Sequence, residues 1–351
     1  MSDIPRITFT IDGQTVETTE GTTVLQAALD AGIFIPNLCY SPLLEPYGGC
    51  RLCICQIDGL RGLPPSCTIR ATDGMVVHSD VEEVNRVRLM ILELLVSDHP
   101  ADCLSCGANQ NCQLQKVAEF LGLGELRVTR HARPRDLDES NPFFVRDNSK
   151  CILCGKCVRV CREVRGVSNL DFAHRGFQAR VSTFGGGLIT DSRCESCGEC
   201  VDICPVGALL PKHETLPPTR EVTTVCPYCG CGCGLVLGVR GNRIVRVRPE
   251  QGNPASDGHL CVKGRFGLGF VGSPDRLTTP LIRRDGELEE ATWDEALDFT
   301  ATRLAEIRDR HGPDAVAGFA SAKCTNEDNY LFQKFMRAAV GTNHIDHCAH
   351  L

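Results

Sequence analysis

The chain has 351 residues, 42 % of them apolar and 23 % charged, with a formal net charge of −7. That length supports roughly two to four domains with real cores. The composition is globular rather than disordered, and no basic excess points to nucleic acid or an anionic membrane surface. The outlier is cysteine, at 23 residues. An odd count in a large chain, whose opening "MSDIPRITFT" has no signal-peptide pattern, argues against a disulfide framework. Clustered thiolates in a reducing compartment suit metal ligation, so a cytoplasmic location is expected.

In chain order, alternating Ile7, Phe9 and Ile11 before Asp12-Gly13 predict a β-hairpin. Thr22 or Thr23 then caps a short helix around Val24–Ala31, ended by Gly32. Strand, strand, helix and a cysteine loop is the order of a small β-grasp domain. The loop carries Cys39-x10-Cys50-x2-Cys53-x13-Cys67, with Gly48 and Gly49 permitting the backbone to wrap a metal site. Three thiolates on one loop and a remote fourth suit [2Fe–2S], with zinc as the alternative. Cys55 reads as a small buried residue.

Residues 83–97 predict an amphipathic helix with Val84, Val87, Ile91, Leu94 and Leu95 on one side. Its run "LMILELLV" is too short to span a bilayer. His99, Cys103, Cys106 and Cys112 follow, a set that suits either zinc or a [4Fe–4S] cluster with one imidazole ligand. The stretches 131–142 and 211–221, charged and proline-containing, read as linkers.

Between them lies a repeat. Cys151, Cys154, Cys157 and Cys161 have the spacing C-x2-C-x2-C-x3-C, and Cys194, Cys197, Cys200 and Cys204 repeat it, with Pro205 after the last. This is the bacterial run for two [4Fe–4S] clusters, in which each fourth cysteine ligates the other cluster. Three cysteines on a tight loop reach three corners of a cube, and the fourth corner needs a ligand from elsewhere. Paired zinc knuckles have a different pattern.

After residue 222 strands are expected, with a turn at Gly241-Asn242, and from Trp293 helices and strands alternate. Cys226, Cys229, Cys233 and Cys261 form the last set, although Cys231 could replace Cys229 or Cys233 on spacing alone. Lys263 follows two residues later. These sets use every cysteine except Cys55, Cys231, Cys324 and Cys348.

On these motifs the whole chain resembles the N-terminal part of the alpha (catalytic) subunit of cytoplasmic, NAD-linked formate dehydrogenases that use a molybdenum- or tungsten-pterin. The resemblance implies an α+β multidomain chain. Its parts are a β-grasp [2Fe–2S] domain (1–82), a helical [4Fe–4S] segment with one histidine and three cysteines (83–122), and a two-[4Fe–4S] ferredoxin module (142–212). A [4Fe–4S] domain of the Mo/W-bis(molybdopterin guanine dinucleotide) type (222–277) and the start of a molybdopterin oxidoreductase domain (278–351) complete the order. One [2Fe–2S] and four [4Fe–4S] clusters are implied, with flavin/NAD-binding and small iron–sulfur subunits as partners and formate as substrate. Lys263 matches a lysine between cubane and pterin that helps electron passage.

The electron-input subunit of respiratory NADH:quinone oxidoreductase and the iron-only hydrogenases share the first three parts. Two complete cysteine runs, "CPYCGCGCG" and "CVKGRFG" favour the formate dehydrogenase. The stretch "GTNHIDHCAHL" resembles the approach to the metal-ligating cysteine or selenocysteine, with His350 in place of the family's arginine. The expectation is that this ligand is the next residue, encoded by an in-frame UGA, so no catalytic residue is expected among these 351. The alternatives are a stand-alone, non-catalytic electron-transfer subunit, or a protein like the electron-input subunit of NADH:quinone oxidoreductase.

Overall fold

The computed structural model describes residues 5–131, 133–214 and 216–348. The chain forms two compact units, Met1–Thr215 and Leu216–Leu351, dividing within the 211–221 stretch.

In the first unit, β1 (Arg6–Ile11) and β2 (Gln14–Thr19) pair antiparallel, with Phe9 opposite Val16. Asp12 and Gly13 both take left-handed backbone (φ 49° and 79°), the geometry of a tight hairpin turn. α1 (Val24–Asp30) is capped by Thr23, whose hydroxyl accepts the Gln26 N–H at 3.2 Å. β3 (Gln56–Ile57) and β4 (Val76–His78) complete a sheet of order β2-β1-β4-β3, with β1 and β4 parallel. This is the expected β-grasp arrangement. Its core of Phe9, Ile11, Val24, Leu25 and Val77 also takes in Cys53, Cys55 and Cys67, so the cysteine loop is built onto the core.

α2 (Glu82–Ser97) forms with Val84 of the expected face buried and Ile91 and Leu95 packed partly buried against a core, but Leu94 is 56 % exposed and Arg88, Leu92 and Glu93 are buried as well. Polar partners set this orientation. Arg88, only 1 % exposed, donates to the carbonyls of Ser79 and Ile54, each at 2.8 Å. Glu93 takes a forked grip from Arg127, at 2.8 and 2.7 Å. Arg88→Leu would leave two buried carbonyls unpaired, and a loss of about 2–4 kcal/mol is expected in a thermal melt of the first unit's transition. An unchanged melt would show that the carbonyls find other donors.

α3 (Gln113–Phe120) buries Leu114 and Val117 against Leu38 and Leu52 of the cysteine loop, Leu92 of α2, and Val206 and Ala208. That shared core draws the separate cysteine segments together. β5 (Leu137–Asp138) lies inside the expected 131–142 linker and pairs with β6 (Phe144–Asp147). Asp138 explains why: at 5 % exposure it accepts from Ser140 N–H and hydroxyl, from Ile189 N–H and from Arg146. Burial works to raise its pKa, but these donors outweigh burial and hold it below the usual range. Its contribution is therefore present above about pH 4 and lost as the pH falls through the lower folded value. Asp138→Asn should flatten that acid limb of the stability curve; an acid limb identical to wild type would exclude Asp138 as its source.

α4 (Lys156–Arg159) runs into a π-turn at Val160–Val164. β7 (Leu170–Ala173) and β8 (Arg180–Thr183) form a hairpin, α5 (Glu199–Ile203) follows, and β9 (Leu209–Pro211) returns beside β6.

In the second unit β10 (Arg220–Val225), β11 (Gly234–Arg240) and β12 (Arg243–Pro249) form an antiparallel meander, with a bulge at Gly238/Val239 and a turn at Gly241 (φ 58°). α6 (Val262–Phe266) precedes the hairpin of β13 (Leu281–Arg284) and β14 (Glu287–Glu290). α7 (Trp293–His311) opens on a capping box of Thr292 and Glu295. β15 (Gly318–Ser321) lies parallel to β16 (Ile345–Cys348), joined through α8 (Asn326–Lys334). Among the described residues no helix is long and apolar enough to cross a membrane.

Candidate metal centres

The β-grasp loop brings all four expected thiols together. Cys39 is hydrogen-bonded to Cys50, and Cys53 to Cys67. In each pair the shared proton pulls one sulfur, Cys50 or Cys67, toward thiolate. Backbone N–H groups face the sulfurs as well: Leu38 to Cys50 at 3.4 Å and Cys50 to Cys39 at 3.3 Å. Left-handed backbone at Gly48 (φ 66°) and Arg51 (φ 60°) turns the loop around them. Cys55 packs in the core with its thiol on the Cys53 carbonyl (3.7 Å), and burial pushes its pKa up to about 11.

The repeat folds as two matched loops. Leu153 and Gly155 (φ 55° and 75°) are echoed by Ser196 and Gly198 (φ 55° and 79°). A left-handed conformation costs a side-chain-bearing residue about 1–2 kcal/mol, and here it aims an N–H at sulfur: Leu153 at Cys151 and Ser196 at Cys194, both 3.4 Å. Cys151, Cys154 and Cys157 line a cavity together with Cys204. Cys194, Cys197 and Cys200 line a second together with Cys161. Each fourth cysteine therefore sits in the other run's cavity. The π-turn carries Cys161 there, where it accepts the Asn169 N–H at 3.2 Å.

Burial pushes the thiols up, Cys154 to about 12 and Cys204 to about 11. A positive metal core reverses that cost, since ligation removes the proton outright. Among the described residues no three His, Cys, Asp or Glu side chains converge on one ion position. Thiols spread around a cavity fit a multi-atom cluster better than a single zinc ion.

His99 ends α2's extension, with its Nδ1 buried and lacking a hydrogen-bond partner. Burial, with Lys150 and Arg130 adding to it, lowers its pKa and keeps the imidazole neutral and able to ligate. Cys112 is buried, Cys106 half-buried and Cys103 exposed. Gly207, from beyond the second cysteine run, closes on this group: a Cβ there would stand 2.5 Å from Cys106 Sγ.

In the second unit Cys226 is buried and donates its N–H to the Cys233 carbonyl at 2.8 Å. Cys229 and Cys233 are half-buried, and Cys261 is exposed at the start of α6. Gly264 brings the α6 backbone close, its Cβ position 3.5 Å from Cys226 Sγ. Cys231 is exposed but lies in the same group, its sulfur 3.5 Å from that of Cys233. Lys263 is exposed on α6.

Sequence reasoning missed Arg159. Its buried guanidinium donates to the Cys39 carbonyl at 3.1 Å and to that of Glu45, pairs with Glu163 at 3.5 Å and lies 5.1 Å from the Tyr47 ring. It ties α4 to the β-grasp loop. Within "CVRVC" it has no local signature.

Five family profiles match along the chain. They are a 2Fe-2S iron-sulfur cluster binding domain (5–82) and the NADH-ubiquinone oxidoreductase-G iron-sulfur binding region (88–127). The NADH-quinone oxidoreductase subunit 3, ferredoxin-like domain (141–210), the molybdopterin oxidoreductase Fe4S4 domain (219–273) and molybdopterin oxidoreductase (276–351) follow. An NADH-quinone oxidoreductase subunit of Rhizobium meliloti is 40 % identical over 97 % of this chain and 40 % of its own length. NADPH-Fe(3+) oxidoreductase subunit alpha of Geobacter sulfurreducens is 38 % identical over 98 % of this chain and 40 % of its own. YrhE of Bacillus subtilis, whose formate dehydrogenase name is provisional, is 31 % identical over 99 % of this chain and 40 % of its own. The chain thus spans about 40 % of the length of these curated relatives. A chain in the crystal structure of an NAD+-reducing [NiFe]-hydrogenase in the H2-reduced state superposes with a TM-score of 0.55 at 35 % identity, covering 59 % of this chain and 87 % of that one. In one order the chain carries a 2Fe-2S ferredoxin domain, 4Fe-4S regions and the start of a molybdopterin oxidoreductase domain, the domains of NADH-quinone oxidoreductase G and molybdopterin oxidoreductases.

Proposed function

We propose that this iron–sulfur electron-transfer chain serves a formate dehydrogenase, linking a Mo- or W-bis(molybdopterin guanine dinucleotide) site in the whole protein to a flavin/NAD partner subunit. The observation that carries the reading is the pair of complete, crossed four-thiol cavities of the ferredoxin module, followed in the chain by the pterin-type cysteine set. In this reading Cys39, Cys50, Cys53 and Cys67 hold [2Fe–2S]. His99, Cys103, Cys106 and Cys112 hold one [4Fe–4S], the two crossed sets hold two more, and Cys226, Cys229, Cys233 and Cys261 hold the last. Lys263 is the relay lysine towards the pterin.

Bound clusters supply one-electron redox chemistry between two-electron reactants. The protein's own residues aim the N–H groups of Leu38, Leu153, Asn169 and Ser196 at sulfur, which tunes potential. A second reading, an electron-input subunit of an NADH-linked complex, draws on the 40 % identity to the Rhizobium protein. The test uses the full-length protein. Roughly eighteen iron atoms per chain, bound Mo or W, and bleaching of the clusters by formate are the expected results. Full iron without Mo or W, and bleaching by NADH alone, would favour the second reading.

A further inference from the structure

Arg146 lies on β6, the central strand of the sheet β5-β6-β9, and is only 7 % exposed. Its Nη2 donates to Asp138 Oδ2 at 3.2 Å across the β5–β6 pairing. Its Nε and Nη1 are buried without a hydrogen-bond partner, and among the described residues no other arginine leaves a buried terminal nitrogen unpaired. Two orphaned donors on one buried guanidinium call for an acceptor that the protein does not itself supply. Arg146 lines the cavity of Cys151, Cys154, Cys157 and Cys204. Beyond those cysteines the other side chains of the lining are apolar, except that of Asn148, whose amide donates to Asp136 at 2.9 Å.

The repeat that matches Cys151 to Cys194 matches Arg146 to Ile189. Ile189 lines the second cavity, and its N–H donates to the same Asp138 oxygen at 2.9 Å. One carboxylate oxygen thus holds the matching residue of both cavities, and only one of the two carries a guanidinium. The second cavity has Arg165, but that side chain is 26 % exposed, pairs with Glu195 at 3.2 Å and leaves only Nε unpaired.

Resting on the cluster assignment above, we infer that the free N–H groups of Arg146 donate to sulfur of the cubane held by Cys151, Cys154, Cys157 and Cys204, with Asp138 positioning the guanidinium. The guanidinium keeps its charge at every working pH. Reduction adds one negative charge to the cubane, and a charged donor fixed on its sulfur stabilises that charge. Arg146 thereby raises the reduction potential of this cubane, and position 189 offers the other no such donor.

The test is EPR on the full-length protein, with the first-cavity cubane identified as the signal lost in Cys204→Ala. With arginine side-chain nitrogens isotope-labelled, pulsed EPR of wild type should show one coupled to that signal, and the coupling should vanish in Arg146→Lys. In a redox titration, Arg146→Ile writes the second cavity's residue into the first. The ratio of reduced to oxidised cubane at a fixed potential should then fall about tenfold, which is about 59 mV for a one-electron couple. The other clusters should move less. A wild type without the arginine coupling, a coupling that survives in Arg146→Lys, an unmoved potential in Arg146→Ile, or an equal shift at every cluster would each overturn the inference. Should both variants lose iron, the wild-type coupling decides alone. A wild type with no cubane signal that Cys204→Ala removes would overturn the cluster assignment itself, and this inference with it, which separates the two failures.

Discussion

Cys204→Ala is expected to remove the cubane bound by the first cysteine run and to spare the one bound by its own. Cys204 stands fourth in the second run, yet it lines the cavity of Cys151, Cys154 and Cys157. Cys161→Ala should do the reverse, since Cys161 shares its cavity with Cys194, Cys197 and Cys200. Each variant should lose about four of roughly eighteen irons, and the two should lose different EPR signals. The loss exceeds one metal–sulfur bond, because Cys151, Cys154 and Cys157, whose thiols burial holds protonated, would remain in a cavity shaped for a charged core. Combining Cys204→Ala with Cys154→Ala then costs little further iron, whereas combining it with Cys197→Ala costs about twice as much. If Cys204→Ala silences the site of Cys194, Cys197 and Cys200 instead, each run keeps its own fourth ligand and the crossed assignment is wrong.

That crossing was legible because spacing is a local quantity: two runs of C-x2-C-x2-C-x3-C state how many thiols each loop offers and that one must come from elsewhere. The hairpin at Asp12-Gly13 and the Thr23 cap were legible for the same reason, each being settled within a few residues. One edge of the α2 face was not. Its apolar spacing pointed to Leu94, but the partners that decide its rotation are the Ser79 and Ile54 carbonyls and Arg127, all outside the helix. Asp138 likewise turned an apparent linker into a strand through donors as distant as Ile189. Arg159 looks like an ordinary helix-surface residue between cysteines, and only tertiary structure puts it on the Cys39 carbonyl.

Gly207 is the sharpest of these non-local features, and its prediction follows from one distance. A Cβ at 207 would stand 2.5 Å from Cys106 Sγ, with Ala108 Cβ at 3.5 Å and Lys150 Cδ at 3.6 Å closing the other sides. Contact between carbon-sized atoms is about 3.5–4.0 Å, so Gly207→Ala demands a shift of about 1 Å. A free cysteine side chain could rotate away at small cost. A cysteine bound to a cluster would have to drag its loop, whose backbone is fixed by the Cys106 N–H on the Cys103 carbonyl at 3.2 Å. Gly207→Ala is therefore expected to lose the His99 cluster, about four irons, and about 1–3 kcal/mol of stability from overpacking. The crossed pair should remain, because Gly207 lines neither of their cavities. Gly187→Ala, where an added Cβ meets nothing within 4 Å, is the matched control and should leave iron unchanged. A Gly207→Ala protein with full iron and an unaltered signal from that site would mean that Cys106 swings clear, which a cluster ligand held in this loop does not do.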